Sequence, residues 1–361
     1  MVRRTTHPGL LSRRRILQAL AALPLGCGAR IDTPPGEQDV GWRALEPTQT
    51  LTRIAFGSCC DQRRSQPIWR TINARNPELF LFIGDNVYAD AEHESRLQAA
   101  YDELGGSDGF NALRRNTPVM AVWDDHDFGR NDAGSEYPLR EASQRIMLDF
   151  FGEPAESVRR TRPGIYDAKI IGPVGRRVQI ILLDCRYFRD PLLPGGAGPS
   201  RFRPNDDPAA TVLGAAQWDW LEQVVREPAE LRLMVSSFQL VSAEHPFESW
   251  GLFPRERDRL FDLISRTAGV IVLSGDRHRG ELSRIDQPPL SYPLSELTSS
   301  SLNLPLPGSE PNRWRIGAQV EDANFGWIEI DWSRERVQLA LLTDTGRVAL
   351  EERVELAALA V

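Results

Sequence analysis

Histidine and cysteine are scarce in this chain, and long apolar runs are missing from it. Of its 361 residues only five are His and four are Cys. Cys27 lies close to the N-terminus, which leaves Cys59, Cys60 and Cys185. An odd number with two neighbours adjacent does not make a disulfide framework, so the cysteines are read as buried thiols or as ligands. No stretch reaches the ~20 apolar residues of a membrane-spanning helix. There is no internal repeat, and no P-loop pattern that would support nucleoside triphosphate use by that route. Negative charge is missing from the N-terminal segment. The first 30 residues hold six Arg and no Asp or Glu, and taking those six charges from the formal net charge of −7 leaves −13 on the rest. An acidic body argues against a nucleic-acid-binding partner. A bound metal ion can still reverse the sign locally, so an anionic substrate is not excluded.

What is present begins with an address. Ser12-Arg13-Arg14-Arg15-Ile16-Leu17-Gln18 resembles the twin-arginine export signal, and the apolar stretch 16–25 has the length of a signal-peptide core. Residues 1–30 are therefore expected to be a signal peptide that sends a folded chain out of the cytoplasm. Leu25-Gly26-Cys27 resembles a lipoprotein cleavage site, although Pro24 departs from its usual pattern; lipid on Cys27 would anchor the protein to a membrane. The expected locations are thus periplasmic, extracellular or membrane-tethered. Residues 31–50, with Pro34, Pro35, Gly36 and Pro47, read as a linker, and 51–361 as one domain.

Within that domain, short apolar runs alternate with helical stretches. The runs 53–57, 79–84, 119–123, 179–184, 231–236 and 270–275 each end in Gly, Asp, Ser or Trp, as buried strands do when they deliver polar residues at their tips. Helices are expected over 67–74, 95–104, 140–151, 214–226 and 255–266. Beyond 280 strand follows strand, including 326–332, 337–343 and 348–356. Two Pro/Gly-rich stretches, 190–208 and 302–319, read as long loops of the kind that often carry function. The pattern is α/β with a second sheet, a two-sheet α/β/β/α sandwich, with chemistry at the strand ends. Gly105-Gly106-Ser107-Asp108-Gly109 matches a nucleophile-elbow pattern, but it follows a helix instead of a strand and is set aside.

The strand ends gather metal-type ligands. They read Gly57-Ser58-Cys59-Cys60-Asp61, Gly84-Asp85-Asn86-Val87-Tyr88-Ala89-Asp90, Trp123-Asp124-Asp125-His126-Asp127 running on to Arg130-Asn131-Asp132, and Gly275-Asp276-Arg277-His278. Thiolate, phenolate, imidazole and carboxylate collected at one end of a sheet is what a metal centre requires. In these motifs the chain resembles the alkaline phosphatase D (PhoD) family of the calcineurin-like metallophosphoesterase superfamily. Gly84-Asp85 and Asp124-Asp125-His126-Asp127 match the superfamily elements, with Asp125 in place of Asn. Cys59, the Asp85/Tyr88 spacing and the Asp276/His278 pair mark the alkaline phosphatase D branch.

The resemblance implies a hydrolase for small-molecule phosphate esters or phosphodiesters with a two-metal mechanism. The ions neutralise charge on the phosphoryl oxygens during in-line attack. It implies Fe3+ on Cys59, Asp85, Tyr88 and His278. It also implies Ca2+ or another divalent ion on Asp85 and Asp276, with Asp125 or Asn131 completing that set. Hard oxygen ligands suit calcium and the mixed set suits a transition metal. His126 is read as the protonated neighbour of the leaving oxygen, its ring oriented by Asp124 or Asp127. Arg130 and Arg277 would either fork onto phosphate or pair with the site's carboxylates. Cys60 and Cys185 read as small buried residues, His93 as a surface residue, and His245 as lining the pocket or structural. Two other readings stay open: an activity on phospholipid head groups or teichoic acid, and a non-catalytic calcium-binding surface protein.

Overall fold

The structure is a computed structural model that describes residues 41–196 and 200–361. The export signal, Cys27 and the first part of the expected linker lie outside the described residues. Along the chain run β1 (Arg53–Gly57), α1 (Ile68–Ala74), β2 (Leu79–Ile83), α2 (Glu94–Gly105), α3 (Asp108–Asn116), β3 (Val119–Val122) and the single turn α4 (Asp125–Phe128). These are followed by α5 (Arg140–Phe150), β4 (Asp167–Ile171), β5 (Val178–Leu182), the short hairpin β6 (Leu193–Pro194) and β7 (Phe202–Arg203), α6 (Gly214–Val224), β8 (Leu231–Ser236) and α7 (Pro254–Ser265). The remainder is strand: β9 (Val270–Ser274), β10 (Gly280–Ile285), β11 (Leu294–Ser299), β12 (Arg315–Val320), β13 (Asn324–Asp331), β14 (Arg336–Thr343) and β15 (Val348–Glu355).

The strands form two large mixed sheets flanked by helices. One has the order β15-β14-β13-β1-β2-β3, the other β12-β10-β11-β9-β8-β5-β4. In each, the central strands are parallel (β1, β2 and β3; β5, β8, β9 and β11) and the late strands add antiparallel partners. β2, with the sequence LFLFI, is buried at every position, as a parallel strand covered on both faces must be. Helices α1 and α3 cover the outer face of the first sheet, where Trp69 meets Phe80, Phe82 and Phe110 at ring-centroid distances of 5.3–5.9 Å. Against the second sheet, Gln179 of β5 donates to the carbonyl of Val224 at the end of α6 at 2.6 Å. α7 starts on Pro254 at its first turn, where a missing N–H costs nothing. One apolar cluster runs through both sheets.

Several sequence expectations need correction. Residues 41–50 are not all linker: Trp42 packs on Phe110, Phe150 and Phe151 with centroids 5.4–6.0 Å apart, and Arg114 stacks on its ring at 4.9 Å. Helix α3 starts just beyond the Gly105-Gly106 pair; its own Gly109 hid it, yet a Cβ there would lie 2.8 Å from Trp69 Cβ. The stretch 302–319 is not all loop, because β12 pairs with β10 as an edge strand whose half-exposed residues leave no apolar run. β4 is a second edge strand missed for the same reason. Among the described residues no helix is long and apolar enough to cross a membrane.

Candidate metal centre

The parallel strands of both sheets end at one place, and the turns that follow them are tight. Gly84 has φ +114°, and a Cβ on it would sit 2.7 Å from Asp124 Cβ, so this position admits only glycine. Cys59, Asp85, Asp276 and His278 themselves adopt positive φ, between 47° and 68°. Such backbone costs of order 1–3 kcal/mol per residue and persists where the surroundings enforce it, commonly at functional sites. Asp90 and Asp132, beside the same cluster, share it.

Asp85 sits at the middle. Its Oδ2 accepts from Tyr88 Oη at 3.0 Å and from Cys59 Sγ at 3.4 Å, and Tyr88 Oη lies 3.5 Å from His278 Nε2. Ligand atoms of Cys59, Asp85 and His278 all fall within 4.8 Å of one another. His278 Nδ1 is 2.8 Å from the carbonyl of Leu304, which can only accept, so Nδ1 carries the proton and Nε2 keeps its lone pair. Burial pushes this imidazole down to about 4, and it is neutral. Burial also raises Cys59 and Tyr88, with the Asp85 charge adding to the effect. A cation binding here therefore displaces protons.

Two further groupings lie on the other side: Asp85, Asp125 and His126, and Asp124, Asp125 and Asp276, each with ligand atoms within 4.8 Å. Asp125 Oδ1 accepts from the His126 amide at 3.0 Å and Oδ2 from the Asp132 amide at 2.5 Å. Burial opposes its charge, but the His126 and Arg186 cations outweigh it and hold the carboxyl well below its usual range. Burial lifts Asp276 to about 7 against the opposing charge of Arg277. Asp124 Oδ2 is buried with no hydrogen-bond partner among the described residues. An orphaned carboxylate oxygen beside two further carboxylates fits a hard cation, and the thiol, phenol and imidazole opposite fit a transition metal.

The remaining expected residues are placed as follows. His126 is oriented by Asp90, whose Oδ1 is 2.8 Å from Nδ1, and not by Asp124 or Asp127. Burial alone would lower this imidazole, yet Asp125, Asp85 and Asp90 raise it to about 11. Asp127 instead accepts from the Asp124 amide at 2.7 Å and Asn86 Nδ2 at 2.6 Å, capping the α4 turn. Asp124 is tied to Arg186 and to Ser237 Oγ. Arg130 is exposed, its guanidinium 5.8 Å from the Tyr137 ring centroid. Asn131 is exposed and gives its side-chain amide to Asp132, whereas Asp125 is buried in two of the three groupings. Arg277 is engaged by carboxylates, Asp276 at 3.4 Å and Glu310, and its guanidinium sits 4.1 Å from the Phe247 ring centroid. Cys60 and Cys185 are buried free thiols, and His93 is exposed at the start of α2. His245 is buried with neither ring nitrogen hydrogen-bonded among the described residues, and burial followed by Arg277 and Arg279 pushes it down to about 3. Sequence reasoning passed over Asp90 as a partner of His126, and missed Arg186, Arg189, Glu248 and Ser300. The tip after β5, Asp184-Cys185-Arg186-Tyr187-Phe188-Arg189, follows a buried strand like the others and could have been examined as they were.

The profile of the family described as PhoD-like phosphatase matches residues 54–351. No curated protein sequence matches. Among solved structures, one described as the structure of PhoD aligns with TM-score 0.66 and 16% identity over 86% of this chain and 73% of its own. GAP50, described as the anchor in the inner membrane complex of Plasmodium, aligns with TM-score 0.55 and 12% identity over 85% and 89%. A dimetal phosphatase from Danio rerio aligns with TM-score 0.50 and 11% identity over 85% and 99%.

Proposed function

Because the chain belongs to the PhoD-like phosphatase family, and is thus a metal-dependent phosphoric ester hydrolase, we propose that it works with two unlike cations, outside the cytoplasm. Cys59, Tyr88 and His278 would hold a transition metal, iron by the resemblance. Asp125 and Asp276 would hold calcium or another divalent ion, and Asp85 would be shared. The observation that carries this reading is the placing of Asp85 in two ligand groupings at once, one with a thiol and an imidazole, the other with Asp125. When bound, such ions supply Lewis acidity toward phosphoryl oxygens and activate water. The protein's own part is positioning. Asp90 Oδ1 accepts a hydrogen bond from His126 Nδ1–H, which leaves Nε2 to exchange a proton with a substrate oxygen. Leu304 fixes the ring of His278 and Ser300 Oγ lies 3.0 Å from Cys59 Sγ.

The fold alone does not decide between enzyme and surface protein, since one neighbour is described as an anchor. The donor set of this chain favours catalysis, because a calcium staple requires neither a thiol nor an Asp90–His126 pair. Hydrolysis of bis-(p-nitrophenyl) phosphate that stops on chelation and returns with added metal is the expected result. A chelator-insensitive or absent turnover counts against the reading. Export rests on the Arg13-Arg14 pair; replacing both with Lys is expected to retain the protein in the cytoplasm, and continued export means another route.

A further inference from the structure

Behind the carboxylate side lies a buried line of charge. Arg186 and Arg189, in the turn after β5, are 0% exposed, and Glu248, after β8, is 1% exposed. Arg186 Nε donates to Asp124 Oδ1 at 2.6 Å while its Nη1 pairs with Glu248 Oε2 at 2.6 Å. Arg189 Nε pairs with the other Glu248 oxygen at 2.9 Å, and its Nη2 donates to the carbonyl of Asp132 at 2.5 Å. Arg186 Nη1 also reaches the carbonyl of Ala133 at 3.3 Å. The Asp132 amide in turn holds Asp125 Oδ2 at 2.5 Å. Asp125 is therefore fixed from two directions by one network: through its chain neighbour Asp124, and through the Asp132 peptide.

Stability alone gives little reason to bury this network. Three charges without water are costly, and well-packed apolar residues of similar volume are often as stable or more so. Its extent follows the carboxylate side: it ends on the two segments that flank Asp125, whereas among the described residues the hydrogen-bond partners of Cys59 Sγ are Asp85 Oδ2 and the hydroxyls of Ser58 and Ser300. We propose that Arg186, Glu248 and Arg189 are positioning residues that set Asp125 and Asp124 for a divalent cation on the carboxylate side, leaving the Cys59 side to its own supports. This inference rests on the two-cation reading.

The test uses chelator-stripped full-length protein with two probes. Ca2+ binding is followed by calorimetry, and Co2+ binding by its thiolate charge-transfer absorbance, which reports the Cys59 side. Wild type is expected to bind both, and Asp125→Asn to lose only Ca2+. Glu248→Gln and Arg189→Lys are expected to weaken Ca2+ binding about 10–100-fold, the usual effect of removing an outer partner of a ligand. Their Co2+ affinity and spectrum should stay at wild-type values. If Arg189→Lys does not fold, Glu248→Gln, which keeps the size and one acceptor oxygen, decides. Folded variants with wild-type Ca2+ affinity, or with both probes weakened equally, overturn the inference. A wild type that binds Co2+ but no Ca2+ overturns the two-cation reading itself, and the inference with it.

Discussion

On one side of Asp85 the pocket consists of Cys59, Tyr88 and His278, and the groups supporting it are neutral: hydroxyls of Ser58 and Ser300 and the carbonyl of Leu304. On the other side stand Asp124, Asp125 and Asp276, supported by backbone amides and by the guanidinium groups of Arg186 and Arg277. The first side solves the problem of burial by being protonatable; its members shed or keep protons according to whether a cation is present. The second solves it with counter-charge, from Arg277 next to Asp276 in the chain and from Arg186 far from Asp124 in sequence. The two ligand groupings differ in what lies behind them, and under the proposed reading that difference would sort a transition-metal ion from a calcium-like cation without separating the sites.

Asp85 belongs to both sides, so its removal is the strongest challenge to that division. Asp85→Asn is expected to lower turnover by several orders of magnitude and to reduce the content of both ions, because the shared carboxylate keeps them in register. Metal analysis beside kinetics checks this. Full activity with unchanged metal content would sink the two-cation assignment, and loss of only one ion would show that the sides are more independent than the geometry implies.

The two sides also differ in how far they could be read from sequence. Cys59, Asp85, Tyr88, Asp276 and His278 lie within five residues of a strand end, and the strand is announced by its apolar run; adjacency in sequence becomes adjacency in space. The same runs outlined the parallel strands β1, β2, β3, β5, β8 and β9 to within a residue or two. On the carboxylate side Arg277 was legible beside Asp276, but Arg186 gave no such signal, since it is 62 positions from Asp124 and pairing across loops has no periodicity. β10 and β11 were hard to delimit for a related reason: they bury Glu281, Ser283, Glu296 and Thr298, so their interior faces are polar. Glu296 fills its place by accepting the amides of Leu240 and Val241 at 2.7 and 2.8 Å, a contact only the folded chain reveals.

Stability without metal should respond to pH in opposite ways on the two sides. Asp276, raised to about 7, favours folding while it holds its proton; that contribution is complete below the ordinary carboxyl range near 4 and is lost as pH rises through about 7. Asp127, also near 7 because of burial, acts in the same direction. His278, lowered to about 4, contributes above its ordinary value near 6.5 and loses that contribution as pH falls toward 4. The chelated protein is therefore expected to melt highest at mildly acidic pH and to lose stability toward pH 8. Asp276→Asn should raise its melting point at pH 8 by about 2 °C or more, corresponding to about 1 kcal/mol, while weakening calcium binding. A chelated wild type whose melting point climbs from pH 5 to pH 8 contradicts this account.

The smallest expected change is confined to one oxygen on the protonatable side. Tyr88 Oη sits 3.0 Å from Asp85 Oδ2 and 3.5 Å from His278 Nε2, and burial keeps the phenol protonated in the metal-free protein. If the cation there is ferric iron and displaces that proton, phenolate-to-iron charge transfer gives the protein a visible colour, with the Cys59 thiolate adding its own intensity. Tyr88→Phe removes the oxygen and keeps nearly all of the ring, including its contact with His126 at a centroid distance of 4.4 Å. The visible band should weaken or shift while calcium binding and melting temperature stay close to wild type. The competing possibility is that Tyr88 only donates a hydrogen bond to Asp85. In that case iron-loaded wild type and Tyr88→Phe share one spectrum, and any change in activity arises from the shared carboxylate instead. An active, iron-loaded and colourless wild type would remove both Tyr88 and Cys59 from the ligand set, and with them the chemical contrast between the two sides.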